Sequence, residues 1–176
     1  MKNKIAIISL LVISTLACKD VEKLTEFTME INSSVTIPKN PVSGVPVDIS
    51  TPDLPTNSEA IFSGKNTRQD LIEEIKLTNM DLKIISPSGS NLDFFKSVSV
   101  YMSANGLPEI SLATKTDVPD SLTELALDAS GSNIKEYLKK NNFSLRFIIE
   151  TDQAVPQNHD LDVQMVYFVD AKILGQ

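Results

Sequence analysis

The chain has little of several residue types on which many functional sites depend. Its 176 residues include one cysteine, one histidine, six glycines and no tryptophan. A single cysteine excludes a disulfide framework, and a single histidine excludes most histidine-based metal centres and catalytic triads. Few glycines and no tryptophan leave little material for phosphate-binding loops or for broad aromatic platforms that stack on sugars. The sequence therefore predicts neither an enzyme nor a resident cofactor or metal ion.

Positive charge is also scarce. Lysine and arginine number 16 against 23 aspartates and glutamates, which gives a net charge of -7. The basic residues are scattered, and their one adjacent pair, Lys139-Lys140, is interpreted as the end of a helix, where cations are favoured. Because an acidic chain is repelled by the phosphate backbone, we expect no nucleic-acid partner.

The N-terminus has the organisation of an export signal. Lys2 and Lys4 precede an apolar run at residues 5–16, and polar residues follow from position 19. The run has twelve residues, whereas a spanning helix needs about 20. This order of basic, apolar and polar segments is typical of a signal peptide that is removed on export.

Residues 15–18 (TLAC) resemble the lipobox of bacterial lipoproteins, although the leucine lies two residues before the cysteine rather than three. The resemblance implies cleavage between Ala17 and Cys18 and attachment of lipid to the sulfur of Cys18. It also implies a signal peptide at 1–17, a lipidated N-terminus and tether at 18–25, and one domain at 26–176. The alternative is a plain secretory signal that leaves Cys18 as a free thiol.

The residues after Cys18 bear on where such a lipoprotein would reside. Lys19 to Glu22 (KDVE) resemble the tag of surface-exported lipoproteins in some Gram-negative groups, and a plain solvated tether is the alternative. We expect the cell envelope and the outer membrane as the location, with the periplasmic or outer face left open.

The mature chain shows the alternation of apolar and polar residues that is typical of half-buried strands. The alternating segments are residues 27–37, 75–85, 98–103, 110–114, 125–127, 145–149 and 163–171. In 75–85 the phase slips near Thr78-Asn79, which predicts a β-bulge. Asn105-Gly106 predicts a tight hairpin turn.

Two helical segments and one proline-rich segment complete the pattern. Residues 133–140 begin with a possible capping box formed by Asn133 and Glu136, and residues 67–74 predict a further turn or two. Five of the nine prolines lie between Pro38 and Pro55, which predicts a sheet edge.

These elements predict an all-β fold, an antiparallel β-sandwich that is immunoglobulin-like in the broad sense, with one or two short helices. The alternative is an α+β sheet covered by a helix layer.

The candidate functional side chains are few. His159, with Asp160 and Asp162 nearby, is interpreted as a solvated turn histidine rather than as a base or metal ligand. Residues 128–133 are interpreted as a turn that leads into the Asn133 cap, rather than as a calcium loop.

Two side chains are candidates for surface contacts or modification. Tyr101 falls on the polar face of its strand, where it either contacts a ligand or packs across the sheet. Ser121 lies in Asp-Ser-Leu, which resembles the O-glycosylation site of exported proteins in some Gram-negative groups. An unmodified serine is the alternative.

Taken together, the sequence predicts a non-catalytic envelope lipoprotein that serves as an interaction or structural module, with a membrane anchor and an envelope protein partner. The alternative is a ligand- or glycan-binding accessory lipoprotein of an uptake system, for which Tyr101 is the candidate contact. A third hypothesis, an enzyme that uses Asp160 and Asp162, would require these carboxylates to meet in a cleft.

Overall fold

The computed structural model describes residues 26–40 and 42–172. The predicted signal peptide at 1–17, the lipid site at Cys18 and the tether at 18–25 lie outside the described residues. The strands are β1 (Glu26–Ile37), β2 (Val47–Ser50), β3 (Leu54–Pro55), β4 (Ile72–Ser86), β5 (Phe95–Ser103), β6 (Ile110–Lys115), β7 (Glu124–Ala126), β8 (Asp128–Ala129), β9 (Asn142–Thr151) and β10 (His159–Ala171). The helices are α1 (Ser58–Gly64) and α2 (Lys135–Leu138).

The strands form two antiparallel sheets. The smaller sheet has the order β1-β10-β4-β7, and the larger has the order β2-β9-β5-β6-β8, with β3 also paired to β9. The chain crosses between the sheets at Leu127, the one residue that separates β7 from β8. The inward side chains of both sheets belong to a single hydrophobic core. The predicted β-sandwich is confirmed, because the helices among the described residues have only seven and four residues and cannot form a layer.

Alternation along each strand builds this core. In β10, the buried side chains are Leu161, Val163, Met165, Tyr167 and Val169. Successive side chains of a strand point to opposite faces, so every second residue of β10 enters the core and the residues between them face outward.

The predicted bulge in β4 is confirmed. Val166 of β10 pairs with Asn79 and the next residue, Tyr167, pairs with Leu77, so Thr78 has no partner in the ladder. The hydroxyl of Thr78 donates to the carbonyl of Val166 at 2.9 Å. The extra residue keeps apolar side chains directed inward on both sides of the slip.

The proline-rich segment lies at the edge of the larger sheet, as predicted. β2 pairs with β9 on one side and forms the end of the strand order. Val47 is buried there, whereas Val45, which precedes the strand, is 48% exposed.

The prediction of a helical segment at residues 67–74 is correct for one turn only and is wrong for the rest of the segment. A 3-10 turn covers Gln69–Leu71, and β4 begins at Ile72, which pairs with Ala171 of β10. Thr67 donates its hydroxyl to the backbone carbonyl of Lys172, just after β10. Pairing with β10 satisfies the backbone groups that a helix would have satisfied internally.

Helix α1 was not predicted. It buries Phe62 completely, and the ring of Phe62 lies edge-on to that of Phe27 with centroids 6.4 Å apart. Seven residues with two apolar side chains, Ile61 and Phe62, carry too little periodicity to be recognised in the sequence.

The segment at residues 133–140 contains α2, which is shorter than predicted. Asn133 accepts the backbone N–H of Lys135 at 3.1 Å, but it lies one residue before the N-cap position, which Ile134 occupies, so the predicted cap at Asn133 is wrong. The expected capping box is wrong, because Glu136 pairs with Lys139 at 3.5 Å instead. Lys139 directly follows the last helical residue, which confirms the interpretation of the lysine pair.

Asn105-Gly106 makes the predicted turn but not a tight hairpin. The N–H of Leu107 donates to the carbonyl of Ala104 at 3.0 Å, and Gly106 adopts a φ of 77°. The connection then continues to residue 109 before β6 begins. Ala104 and Asn105 of this connection line a groove on the protein surface.

Within residues 26–40 and 42–172, none of the helices has the length and apolar character required to cross a membrane.

Candidate ligand-binding groove

A groove of about 600 Å³ lies where the end of β5 meets the turn between α2 and β9. Its polar lining includes Asp53, Ser103, Asn105, Lys140, Asn142 and Ser144. Three distant parts of the chain supply these side chains: the segment before β3, the β5–β6 connection and the turn at residues 139–142.

The sheet register sets the spacing of the groove. Ser103 of β5 lies opposite Ser144 of β9, and both side chains point to the outer face of the larger sheet. Phe143, which directly precedes Ser144 in β9, is buried and anchors this end of the strand in the core. The groove therefore has a rigid sheet on one side and loops on the other.

The turn at residues 139–142 is held in place by two side chains from elsewhere in the chain. The hydroxyl of Thr56, which is 2% exposed, donates to the carbonyl of Lys140 at 2.7 Å. The amide of Gln69 donates to the carbonyl of Lys139 at 3.1 Å. These bonds satisfy backbone acceptors that the turn leaves unpaired, and they fix the backbone that carries the groove side chains.

Tyr101 lies next to the groove on the same outer face. It is two residues before Ser103 in β5 and opposite Arg146 of β9. Its side chain is half-buried, so part of the ring faces solvent. The predicted position of Tyr101 on the polar face is confirmed, and a role in binding stays a prediction.

Arg146 is clamped by two carboxylates. Its Nε and Nη2 donate to the two oxygens of Asp48 at 2.9 and 2.7 Å, and its Nη1 donates to Glu109 at 3.0 Å. Hydrogen bonds from Arg146 lower the pKa of Asp48, and those same bonds raise the pKa of Arg146. The other oxygen of Glu109 accepts a bond from Ser103 at 3.5 Å, which connects this network to the groove.

The interpretation of His159 as a solvated turn residue is wrong. It is the first residue of β10 and is 3% exposed, with its ring against that of Phe94. Burial lowers the pKa of His159, against smaller opposing effects of the Gln157 backbone and the Asp160 charge. The strand pairing with β1 draws His159 inward, because β10 already begins there.

Alternation in β10 also separates His159 from the acids predicted near it. Asp160 and Asp162 lie on the outer face, where Asp160 accepts the hydroxyl of Thr36 at 2.7 Å. Asp162 borders a shallow cavity of about 320 Å³ that also contains Asp81. Burial and the charge of Glu124 raise the pKa of Asp81.

No three histidine, cysteine, aspartate or glutamate side chains in the described part of the chain converge to hold a metal ion. The segment at residues 128–133, interpreted as a turn rather than as a calcium loop, begins with the short strand β8 (Asp128–Ala129) and leads to α2, and Asp128 pairs with Lys115 at 3.3 Å.

Ser121 lies exposed in the connection between β6 and β7 with a φ of 65°, and its backbone N–H donates to the carboxylate of Asp93. Its hydroxyl is therefore on the protein surface, and its glycosylation stays a prediction.

The groove was not predicted from the sequence. Asp53, Asn105 and Asn142 are separated by dozens of residues, and each is ordinary for a loop. The one available signal was the run Lys139 to Asn142, four consecutive polar side chains between two apolar elements. Its convergence with the other two segments depends on strand order.

No family model matches the chain, and no curated protein matches it in sequence. Among solved structures it is similar to FLHE, with 11% identity, a TM-score of 0.36, and 84% of this chain and 98% of that one covered. It is also similar to the decameric BFDV capsid protein, with 9% identity, a TM-score of 0.37 and coverages of 84% and 99%. A carbohydrate-binding module of the β-sandwich superfamily shows 12% identity, a TM-score of 0.25 and coverages of 86% and 57%. At these TM-scores the similarities carry no argument about function.

Proposed function

We propose that the chain is a lipid-anchored protein of the bacterial envelope, held at the outer membrane through Cys18, whose β-sandwich serves as a non-catalytic interaction module. The observation that carries the proposal is the order of segments at the N-terminus. A basic start, an apolar run, the lipobox-like residues 15–18 and a polar tether precede the first strand, which begins at Glu26.

The energetics of acyl chains explain why lipidation would suffice as an anchor. Each buried methylene contributes about 0.8 kcal/mol, so one chain binds a membrane marginally and two or three hold it stably. Acylation would also remove the reactive thiol of Cys18, the one cysteine in the chain.

The polar outer faces of both sheets support the interaction role. The outer face of β10 presents Asp160, Asp162, Gln164 and Asp170 together with half-buried Val166 and Phe168, and the larger sheet presents the groove and the Arg146 network. Surfaces of this kind suit a polar partner in the envelope, a protein above all.

Metabolic labelling with palmitate tests the anchor. We expect label in the full-length protein and in a Lys19→Ala variant, which changes the neighbouring residue alone, and no label in Cys18→Ala. Cys18→Ala should also leave the outer-membrane fraction. An unlabelled wild-type protein, or a Cys18→Ala variant that fractionates unchanged, contradicts the proposal.

The alternative function is a ligand- or glycan-binding accessory of an uptake system. The polar groove beside Tyr101 is the observation that favours it.

A further inference from the structure

We infer that the groove and the exposed part of the Tyr101 ring together bind an uncharged oligosaccharide. This inference names the ligand class for the alternative function and rests on that function. It does not depend on lipidation of Cys18, so the palmitate experiment and the binding experiment below fail independently.

The hydrogen-bonding groups of the groove match sugar hydroxyls. The amides of Asn105 and Asn142 each present donors and an acceptor, and the hydroxyls of Ser103 and Ser144 do both. A sugar hydroxyl also donates and accepts, so it can satisfy both kinds of group at once. Sites for apolar small molecules are lined mainly by hydrophobic side chains, whereas the hydrophobic residues of this lining are Ala104 and Phe143 and the others are polar.

The charges of the groove lining balance. The groove lining carries Lys139 and Lys140 against Asp53, and Glu136 pairs with Lys139 from beside it, so this set is neutral. In the neighbouring network, Arg146 faces two carboxylates, those of Asp48 and Glu109, which leaves one net negative charge. A polyanion would be repelled by that charge, whereas an uncharged ligand meets no net repulsion. This arrangement of charge selects a neutral sugar over an acidic one.

The geometry fits more than one sugar unit. Tyr101 and Ser103 point to the same face of β5, two residues and so about 7 Å apart. The apolar face of one ring can stack on Tyr101 while the next unit bonds to Ser103, Ser144 and the amides. Thr56 holds the turn through its bond to the carbonyl of Lys140, so the backbone of this part of the groove is already ordered before binding.

Calorimetric titration of the purified full-length protein tests this inference, in a detergent without a sugar headgroup. The probes are linear hexasaccharides of glucose, mannose, xylose, galactose and N-acetylglucosamine, with polygalacturonate as the anionic comparison. The variants Tyr101→Ala and Asn142→Ala each remove one proposed contact. Tyr101→Phe keeps the ring, and Phe168→Ala removes a half-buried aromatic from the outer face of the other sheet.

We expect at least one hexasaccharide to bind, with the dissociation constant raised about ten-fold or more by Tyr101→Ala and by Asn142→Ala. Tyr101→Phe should bind more tightly than Tyr101→Ala because it keeps the ring, and Phe168→Ala, which lies outside the groove, should stay within about three-fold of wild type. Urea unfolding of each variant separates lost contacts from lost folding. The inference is overturned by the absence of binding to every hexasaccharide, by an equal loss in Phe168→Ala, or by binding of polygalacturonate alone.

Discussion

The imidazole ring of His159 lies against the ring of Phe94, with centroids 4.7 Å apart and an interplanar angle of 38°. His159 begins β10 of the smaller sheet, and Phe94 directly precedes β5 of the larger one. Phe94 also lies edge-on to Phe95, with centroids 4.9 Å apart. The pair therefore joins the two sheets at one end of the sandwich, through a titratable group that is buried in its neutral form.

The free energy of unfolding should fall as the pH drops below about 6.5, the ordinary pKa of histidine. Burial lowers the pKa of His159 in the folded state, so between that lowered value and 6.5 the unfolded chain binds more protons and is favoured. One such group changes stability by at most about 1.4 kcal/mol per pH unit. Urea unfolding from pH 8 to pH 5 measures the slope.

His159→Phe is the matched control, because it keeps a ring against Phe94 and removes the titration. We expect the variant to lose stability less steeply than wild type over the same pH range. If the free energy of unfolding depends on pH equally steeply in the two proteins, His159 is not the cause of the pH dependence.

Replacing Thr56 by valine should lower the free energy of unfolding by about 0.5–1.5 kcal/mol, because the buried hydroxyl of Thr56 no longer donates to the carbonyl of Lys140. The same substitution at Thr151 provides the control. Its hydroxyl is buried without a hydrogen-bond partner among the described residues, so Thr151→Val should be neutral or stabilising. Equal losses in both variants, measured by urea unfolding, would contradict this account.

Two tyrosine-to-phenylalanine substitutions should differ in their cost. Tyr137 donates its hydroxyl to the carbonyl of Pro108 at 2.7 Å, so Tyr137→Phe should cost about 0.5–1.5 kcal/mol. Tyr167 donates to the sulfur of Met165, a weak acceptor, and burial raises the pKa of its hydroxyl. Tyr167→Phe should therefore change stability little or raise it. Thermal unfolding of the two variants in parallel compares them, and a larger loss at Tyr167 would reverse the expected order.

Truncation of Phe62 should show that α1 is part of the core. Phe62 is fully buried, so Phe62→Ala should lower the free energy of unfolding by about 3–5 kcal/mol. Ile61 is partly buried on the same helix, and Ile61→Ala should cost clearly less. A small effect of Phe62→Ala would mean that α1 packs loosely on the sandwich.

The features predicted correctly are those that depend on neighbours in sequence. Alternation identified the long strands, and the phase slip placed the bulge at Thr78, since both follow from which face of one strand is apolar. The prolines between residues 38 and 55 placed an edge, because proline cannot donate to a ladder.

The errors occur where a distant segment overrides a local preference. Residues 67–74 have helical character but pair with β10, and His159 has the composition of a turn around it but lies under Phe94. In both cases the partner is more than 60 residues away in sequence. Local pattern carries no information about such a partner.

By itself, the sequence determined the two-faced strands, their approximate ends and the signal-like N-terminus, because hydrophobic period and proline position act locally. The order of the strands in the tertiary structure decided which distant residues meet and which are buried. It brought Asp53, Asn105 and Asn142 to one groove, placed Tyr101 beside them and buried His159. The physical reason is that a sheet brings residues together through backbone pairing between distant segments, and a β-sandwich of this length admits many pairings that local propensity alone does not distinguish.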